Sequence, residues 1–328
     1  MILNQWYAIL PSKAVKKNKI VAVKRLNLEL ALFRNEAGVL GCVVDQCPHR
    51  GAALSIGKIK GNCIKCPFHG LEFDIHGKCT FIPANGIAAN VDSRYNVKKY
   101  IVKEANDIIY LWYGDEEKVT EVLPFFNDFV DSTYSFSEIE DHWNSHYSRS
   151  IENQLDVVHV PIVHYNTIGR GNKTLINGPK SEYINKILRT SADNALDIGQ
   201  KPKTAAECTI SDKIYLNFIF PNLWMNHISE KIKVIIYFAP VDDANTILYI
   251  RFYCKISKLR ALNALIAYFG KFANRVIERQ DKRVVITQKP KASELKIGEK
   301  LLPGDGPIVL YRKLRDDLKN NNVSPDSN

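Results

Sequence analysis

Two cysteine-histidine pairs constrain this chain more than any other feature. Cys47-Pro48-His49-Arg50-Gly51 and Cys66-Pro67-Phe68-His69-Gly70 form a C-x-H…C-x2-H pattern, with sixteen residues (50–65) between His49 and Cys66. Each half carries one thiolate and one imidazole on a short Pro- and Gly-containing loop, so two loops can grip one inorganic centre from two sides. Two chemistries use such a set. One zinc ion would take all four ligands tetrahedrally, whereas a 2Fe–2S cluster of the Rieske kind gives both cysteines to one iron and both histidines to the other. Cys63 makes a C-x2-C with Cys66, which favours zinc but leaves five candidate ligands for four places. The small and apolar loop residues Gly51, Ala52, Ala53, Leu54, Gly57 and Gly70 favour a buried cluster whose sulfides take backbone N–H donors.

The surrounding pattern predicts an α+β protein. A length of 328 residues gives a prior of about two domains. Leu26, Leu28, Leu30 and Leu32 alternate at period two, and Val39 to Val44 follows an Asn-Glu-Ala-Gly turn, which reads as a half-buried hairpin. Val97 to Val102 and Ile108 to Trp112 flank Glu-Ala-Asn-Asp, and Gly114 with three acids closes the segment. An all-β domain is therefore expected over 1–115 and a second domain over 116–315. From about residue 150 the pattern turns helical, then gives strands at 213–220, 231–239 and 246–255. Leu262, Leu265, Ile266, Phe269, Phe272 and Val276 fall at spacings of three and four, predicting a helix over 258–280. An antiparallel sheet flanked by helices is expected there, and a flexible tail over 316–328.

Charge narrows the partners. The net +10 is concentrated in residues 1–115, which hold 16 Lys+Arg against 9 Asp+Glu. No basic-aromatic interleaving or helix-turn-helix spacing accompanies it, so a small acidic protein is a better partner than nucleic acid. Charges or amides interrupt every apolar run, so no membrane span is expected. Seven unevenly placed cysteines fit metal ligands and buried thiols in a reducing, cytoplasmic setting better than a disulfide framework. Cys42, Cys63, Cys79, Cys208 and Cys254 are expected to be buried thiols, His142 and His146 structural, and His76 a turn residue.

A second constellation is Asn153-x2-Asp156-x2-His159-x4-His164. Asn153, Asp156 and His159 would share one face of a continuous helix. His164 would point about 140° away from His159 on an ideal helix, but Pro161 between them removes a backbone donor and can kink the chain. Two imidazoles and one carboxylate on one side of an iron(II) leave positions open for dioxygen chemistry.

The stretch CPHRGAALSIGKIKGNCIKCPFHGLEFD resembles the Rieske segment of Rieske non-haem iron oxygenases. Trp6-Tyr7, the histidine pair, Phe220-Pro221-Asn222-Leu223-Trp224 and Gln280-Asp281 extend the likeness over nearly the whole chain. Leu71 stands where that family usually has an aromatic residue. The resemblance implies Cys47, His49, Cys66 and His69 as ligands of a 2Fe–2S cluster. It implies His159, His164 and Asp281 as ligands of a mononuclear Fe(II), with Glu278 the alternative carboxylate. Asp156 resembles the family's bridging aspartate, which joins an iron histidine to a cluster histidine, here His69, of the neighbouring subunit in a homotrimer. Asn153 would sit beside the iron, and residues around Phe218, Phe220, Trp224, Asn226 and His227 would line the substrate pocket.

By this likeness the chain is the oxygenase component of the monooxygenase and demethylase branch. It would take electrons from a separate ferredoxin or flavin reductase, use O2, and hydroxylate or oxidatively demethylate a small organic substrate. A ring-dihydroxylating dioxygenase, a non-catalytic Rieske electron carrier and a zinc-stabilised binding module are the alternatives.

Overall fold

A computed structural model describes residues 1–321. The chain divides into two compact units, Asn4–Leu123 and Met1–Leu3 with Pro124–Asn328. This division falls after the boundary expected at residue 115, because residues 116–123 stay tied to the first strands. The Trp6 indole N–H donates to the Thr120 carbonyl at 2.9 Å, and Lys103 pairs with Glu121 at 2.6 Å.

The first unit consists of three small antiparallel sheets. One orders Gln5–Pro11, Ile108–Tyr113 and Val102–Ala105; another holds Lys19–Arg25, Leu28–Arg34 and Leu40–Val44. The four-stranded third runs Lys58–Lys60, Cys63–Lys65, Glu72–Phe73 and Cys79–Phe81. The expected Leu26–Leu32 alternation does not hold. Leu26 and Asn27 occupy the left-handed turn of a hairpin, with φ of 57° and 64°, and Leu30, Ala31, Leu32 and Phe33 are all buried. A strand covered on both faces has no polar side to show. Ala31, Phe33, Val43, Ile64, Leu71 and Phe73 share one core cluster with Cys47 and Cys66, so the two cysteine loops stand directly on the packed interior. Leu71, in place of an aromatic residue, is part of that core.

The second unit is built on one seven-stranded antiparallel sheet. Its order is Ser135–Trp143, Thr246–Cys254, Ile232–Pro240, Leu223–Ser229, Tyr215–Ile219, Ile187–Ala195 and Leu175–Ile184. Among the described residues, four helices accompany it: α1 Tyr147–Leu155, α2 Val160–Val163, α3 Arg260–Val285 and α4 Gly306–Asn320. Helix α1 buries Tyr147, Ile151 and Leu155, four residues apart, in the main core. His146 caps its start, its side chain accepting from the Ser148 N–H. Burial, with Arg315 nearby, lowers this imidazole to about 3, which keeps it a neutral acceptor.

Helix α3 is found, but its apolar stripe faces the other way from a core helix. Leu262, Leu265, Phe269, Phe272 and Val276 are exposed, while Asn263, Ala267, Glu278, Asp281 and Val285 are buried. The inward row is small and polar at spacings of three and four. Gly270 belongs to it, since a Cβ there would lie 2.6 Å from the Phe252 ring, so the helix lies close against the sheet. That approach carries Glu278 and Asp281 over the sheet face. The tail expected from residue 316 is also corrected, because α4 continues to Asn320 and Leu318 packs against the core. The remainder of that expected tail, 322–328, lies outside the described residues.

Candidate functional site

The two cysteine loops have the same backbone construction. In each, the cysteine N–H donates five residues ahead, Cys47 to Ala52 O and Cys66 to Leu71 O, both at 2.8 Å. In each, a glycine N–H returns to the cysteine carbonyl, Gly51 to Cys47 at 2.9 Å and Gly70 to Cys66 at 3.2 Å. Gly51 and Gly70 adopt φ of 73° and 76°, a left-handed conformation costly for any side chain-bearing residue. Duplicate turns of this kind present two thiols and two imidazoles as a pair of matching grips.

The four candidate ligand residues are sorted by depth. Cys47 and Cys66 are buried, whereas His49 and His69 are exposed with ring centroids 4.4 Å apart. The Cys47 sulfur lies beside that of Cys66, and burial pushes its thiol up to about 11. Ionising both sulfurs in that interior calls for cationic charge between them. Among the described residues, no three of Cys47, His49, Cys66, His69 and Cys63 bring their donor atoms within 4.8 Å of one another. A single tetrahedral zinc, with ligand bonds of about 2.0–2.3 Å, would require closer convergence. Two irons, one toward the buried sulfurs and one toward the outer imidazoles, suit the separation. Cys63 is half-buried and pairs with Thr80 Oγ1 at 3.4 Å, so it takes no part. Cys208 is likewise half-buried, against the expectation for both, while Cys42, Cys79 and Cys254 are buried. His76 is an exposed turn residue, its N–H donating to Asp74 Oδ1.

The second site forms in an unexpected way. Helix α1 does not run through to His159. It ends at Asp156, whose backbone is extended at φ −74°, ψ 127°. The Asp156 carboxylate then accepts from the Val158 N–H at 2.7 Å and the His159 N–H at 3.4 Å. Asn153, Asp156 and His159 therefore do not share one helical face. The short helix α2, with Pro161 in its first turn, has His159 at its start and His164 at its end, which sets the two rings 5.2 Å apart at their centroids. Asp281 enters from α3, with Oδ1 2.9 Å from His164 Nε2 and 3.4 Å from His159 Nε2. Among the described residues, His159, His164 and Asp281 are the set whose ligand atoms all lie within 4.8 Å of one another. Glu278, one turn earlier on α3, is outside that set.

The partners of the far ring nitrogens fix the tautomers. Gln280 donates through its amide nitrogen to Asn166 Oδ1 at 2.7 Å, which turns its Oε1 to His164 Nδ1 at 2.9 Å. Thr167 Oγ1 donates to the same oxygen. His164 therefore carries its proton on Nδ1, assigned from this network, and His159 Nδ1 faces Asp156 Oδ2 at 3.4 Å. Both Nε2 lone pairs then face the Asp281 carboxylate. Lone pairs and carboxylate this close need a proton or a cation between them, and the buried Asp281 Oδ1 has no hydrogen-bond partner. Without a metal, protonation fills the role. Burial opposes charge on His159, but the Asp156 and Asp281 carboxylates, each 3.4 Å from a ring nitrogen, hold it up to about 9. Burial likewise opposes charge on Asp281, yet His159 and His164 hold it down to about 2. Two imidazoles, one carboxylate and supported outer nitrogens fit an iron(II) facial triad.

The three residues line a cavity of about 290 Å³. Trp224 and Asn226 line it from one strand, with Val234 and Ile236 from the next and Leu248 and Ile250 beyond, every second residue as strand geometry requires. Asn153 also lines it. Phe218 and Phe220 do not, for they pack on Tyr311 in the core. His227 points to the other face and stacks on Tyr215 at 4.4 Å. Thr167 and Asn274 escaped the sequence reading, which named Gln280 only beside Asp281 and gave it no role. The polar row on the inward face of α3 was the signal that could have found Gln280's neighbour Asp281 and Asn274 without a resemblance.

Residues 5–100 match the family described as the Rieske [2Fe-2S] domain, and 143–320 the vanillate O-demethylase oxygenase C-terminal domain. The chain is 33% identical over 168 residues to chlorophyllide a oxygenase of Chlamydomonas reinhardtii, covering 51% of this chain and 25% of that protein. It is 34% identical over 165 residues to the oxygenase component of dicamba O-demethylase from Stenotrophomonas maltophilia, covering 50% and 48%. These matches span from a quarter to about half of the relatives' lengths. In fold, it superposes on Pseudomonas putida CBB5 NdmA with a TM-score of 0.80 and 22% identity, over 97% of this chain and 90% of the other. With its C-terminal match covering more than half of the chain, this protein belongs to the Rieske-type oxygenases of the vanillate O-demethylase family.

Proposed function

We propose that this chain is the oxygenase component of a multicomponent monooxygenase that hydroxylates or oxidatively demethylates a small organic substrate. The observation that carries this reading is the convergence of His159, His164 and Asp281 in the wall of a cavity, in a chain that also carries a Rieske domain. Cys47, Cys66, His49 and His69 would hold the 2Fe–2S cluster, and His159, His164 and Asp281 the mononuclear iron(II). When bound, the cluster supplies electrons singly and the iron activates O2, so that R–H, O2, two electrons and two protons become R–OH and water, with formaldehyde leaving from an N- or O-methyl carbon.

The chain's own residues prepare that chemistry. Gln280 holds the His164 proton on Nδ1, and the Asp156 carboxylate, 3.4 Å from His159 Nδ1, favours the same tautomer there, which leaves both Nε2 atoms to ligate. Val234, Ile236, Leu248 and Ile250 wall the cavity with hydrocarbon, which excludes water from a substrate carbon placed before the triad.

Electrons would come from a separate ferredoxin or flavin reductase, drawn by the basic charge of residues 1–115. In a homotrimer, the exposed His69 of one subunit would meet Asp156 of its neighbour, whose carboxylate leads to His159. The exposed apolar stripe of α3 supports self-association. A ferredoxin-like carrier without catalysis would have no use for the triad. The test is to reduce the purified protein chemically and expose it to O2 with methylated aromatics, alkylamines and polycyclic compounds. Substrate-dependent O2 uptake with hydroxylated product or formaldehyde is expected; O2 uptake that responds to none of them refutes the reading.

A further inference from the structure

The cavity holds one carboxyl group that the metal chemistry leaves unused. Glu278 lines it, is 6% exposed, and neither of its carboxyl oxygens has a hydrogen-bond partner. The nearby Trp143 indole N–H donates to Asp141 Oδ2 at 3.3 Å, and its pull on the Glu278 carboxyl is the weakest of the influences there. A buried carboxyl left unsatisfied is costly, so its retention over the cavity calls for a ligand. Trp224 Nε1, Asn274 Nδ2 and Asn226 Oδ1, on other parts of the lining, are also without partners. Unpaired polar groups among the residues lining a cavity are candidates to orient a ligand.

The sign of the lining narrows the ligand. Among the described residues, neither Lys nor Arg lines this cavity, while Asp156, Glu278 and Asp281 do. An iron(II) bound at the triad has its two charges balanced by Asp156 and Asp281. No surplus positive charge is left for an anion, and a carboxylate would enter unpaired against acid groups.

We propose that Glu278 is the specificity-determining residue of this cavity and selects a nitrogenous substrate, an amide or amine that presents an N–H donor and carries no carboxylate. The inference rests on the oxygenase reading for the fate of that substrate, but its recognition is read by binding alone.

The test is calorimetric titration of the purified holoprotein with three ring-matched probes: 4-methoxybenzylamine, 4-methoxybenzamide and 4-methoxybenzoate. One hydrogen bond to a charged or strongly polar partner is worth about tenfold or more in affinity. The amine and the amide are expected to bind at least about tenfold tighter than the benzoate. Glu278→Leu should erase that preference, and Glu278→Gln should keep the amide within about threefold while losing the amine. An unchanged visible spectrum and melting temperature show that each variant is folded; removal of an unpaired buried acid should not lower the latter. Benzoate binding as well as the others, an unchanged ranking in Glu278→Leu, or binding of none of the three overturns the proposal. Failure of the oxygenase reading shows itself separately, as absence of iron from His159, His164 and Asp281 whatever the ranking of the probes.

Discussion

Glu152→Gln tests whether a buried ion network anchors the helix that leads into the iron site. Glu152 is 4% exposed. Its Oε1 accepts from Arg312 Nε at 2.7 Å, and its Oε2 accepts from Arg312 Nη2 at 2.9 Å and Arg149 Nη1 at 3.2 Å. Neutralising one member of such a buried set costs about 3–5 kcal/mol, because its partners stay behind uncompensated. Here Glu299 keeps both guanidinium groups company, at 2.7 Å from each, so the lower end, about 3 kcal/mol, applies. For a unit of roughly 200 residues, at about 2–4 °C per kcal/mol, the melting temperature should fall by about 6–12 °C. The assay is a thermal scan of the holoprotein by far-ultraviolet circular dichroism, alongside Glu299→Gln, whose half-exposed carboxylate should cost less. A fall smaller than about 2 °C for Glu152→Gln, or a larger loss for Glu299→Gln, would show that the network does not pin α1.

Other expectations concern the metal sites. Asp156→Asn should keep both metal centres but lose about 10–100-fold in turnover, measured by product formation against iron content; wild-type turnover would remove the bridging role. Gln280→Leu should weaken iron retention about 10–100-fold during competition with a chelator, while the cluster absorbance stays unchanged. In the iron-free chain, His159 is raised on folding from 6.5 to about 9 despite its burial. Its contribution to stability is complete below the unfolded value and fades as the pH rises through 9. Urea unfolding of chelated protein should therefore show up to about 3 kcal/mol lost between about pH 6 and pH 10, and Asp281→Asn should flatten that dependence.

The cluster loops were legible because their chemistry is local. A thiol and an imidazole two or three residues apart, with glycine at the left-handed position, specify a grip whatever surrounds them. The iron site was legible in composition and not in form. A helical reading put Asp156 and His159 on one face, but the Asp156 side chain prefers to accept backbone N–H groups and ends the helix. Helix α3 was found by its apolar periodicity, yet the periodicity marked the face turned away from this chain's interior. Hydrophobic spacing reports a helical face, not which way that face turns. The inward row mixes the small or apolar Ala267, Gly270 and Val285 with Asn274, Glu278 and Asp281 of the cavity lining, and Gln280 meets its partners His164 and Thr167 more than a hundred positions away. The buried strand Leu28–Arg34 lost its alternation for the complementary reason, being covered on both faces.

The most direct measurement is the iron content and visible spectrum of the purified chain, compared with a His159→Ala, His164→Ala double variant. The wild-type protein should carry about three irons and absorb in the visible, and the double variant about two with the same absorbance. A colourless protein holding a single zinc, or an iron count that the double variant leaves unchanged, would contradict the account.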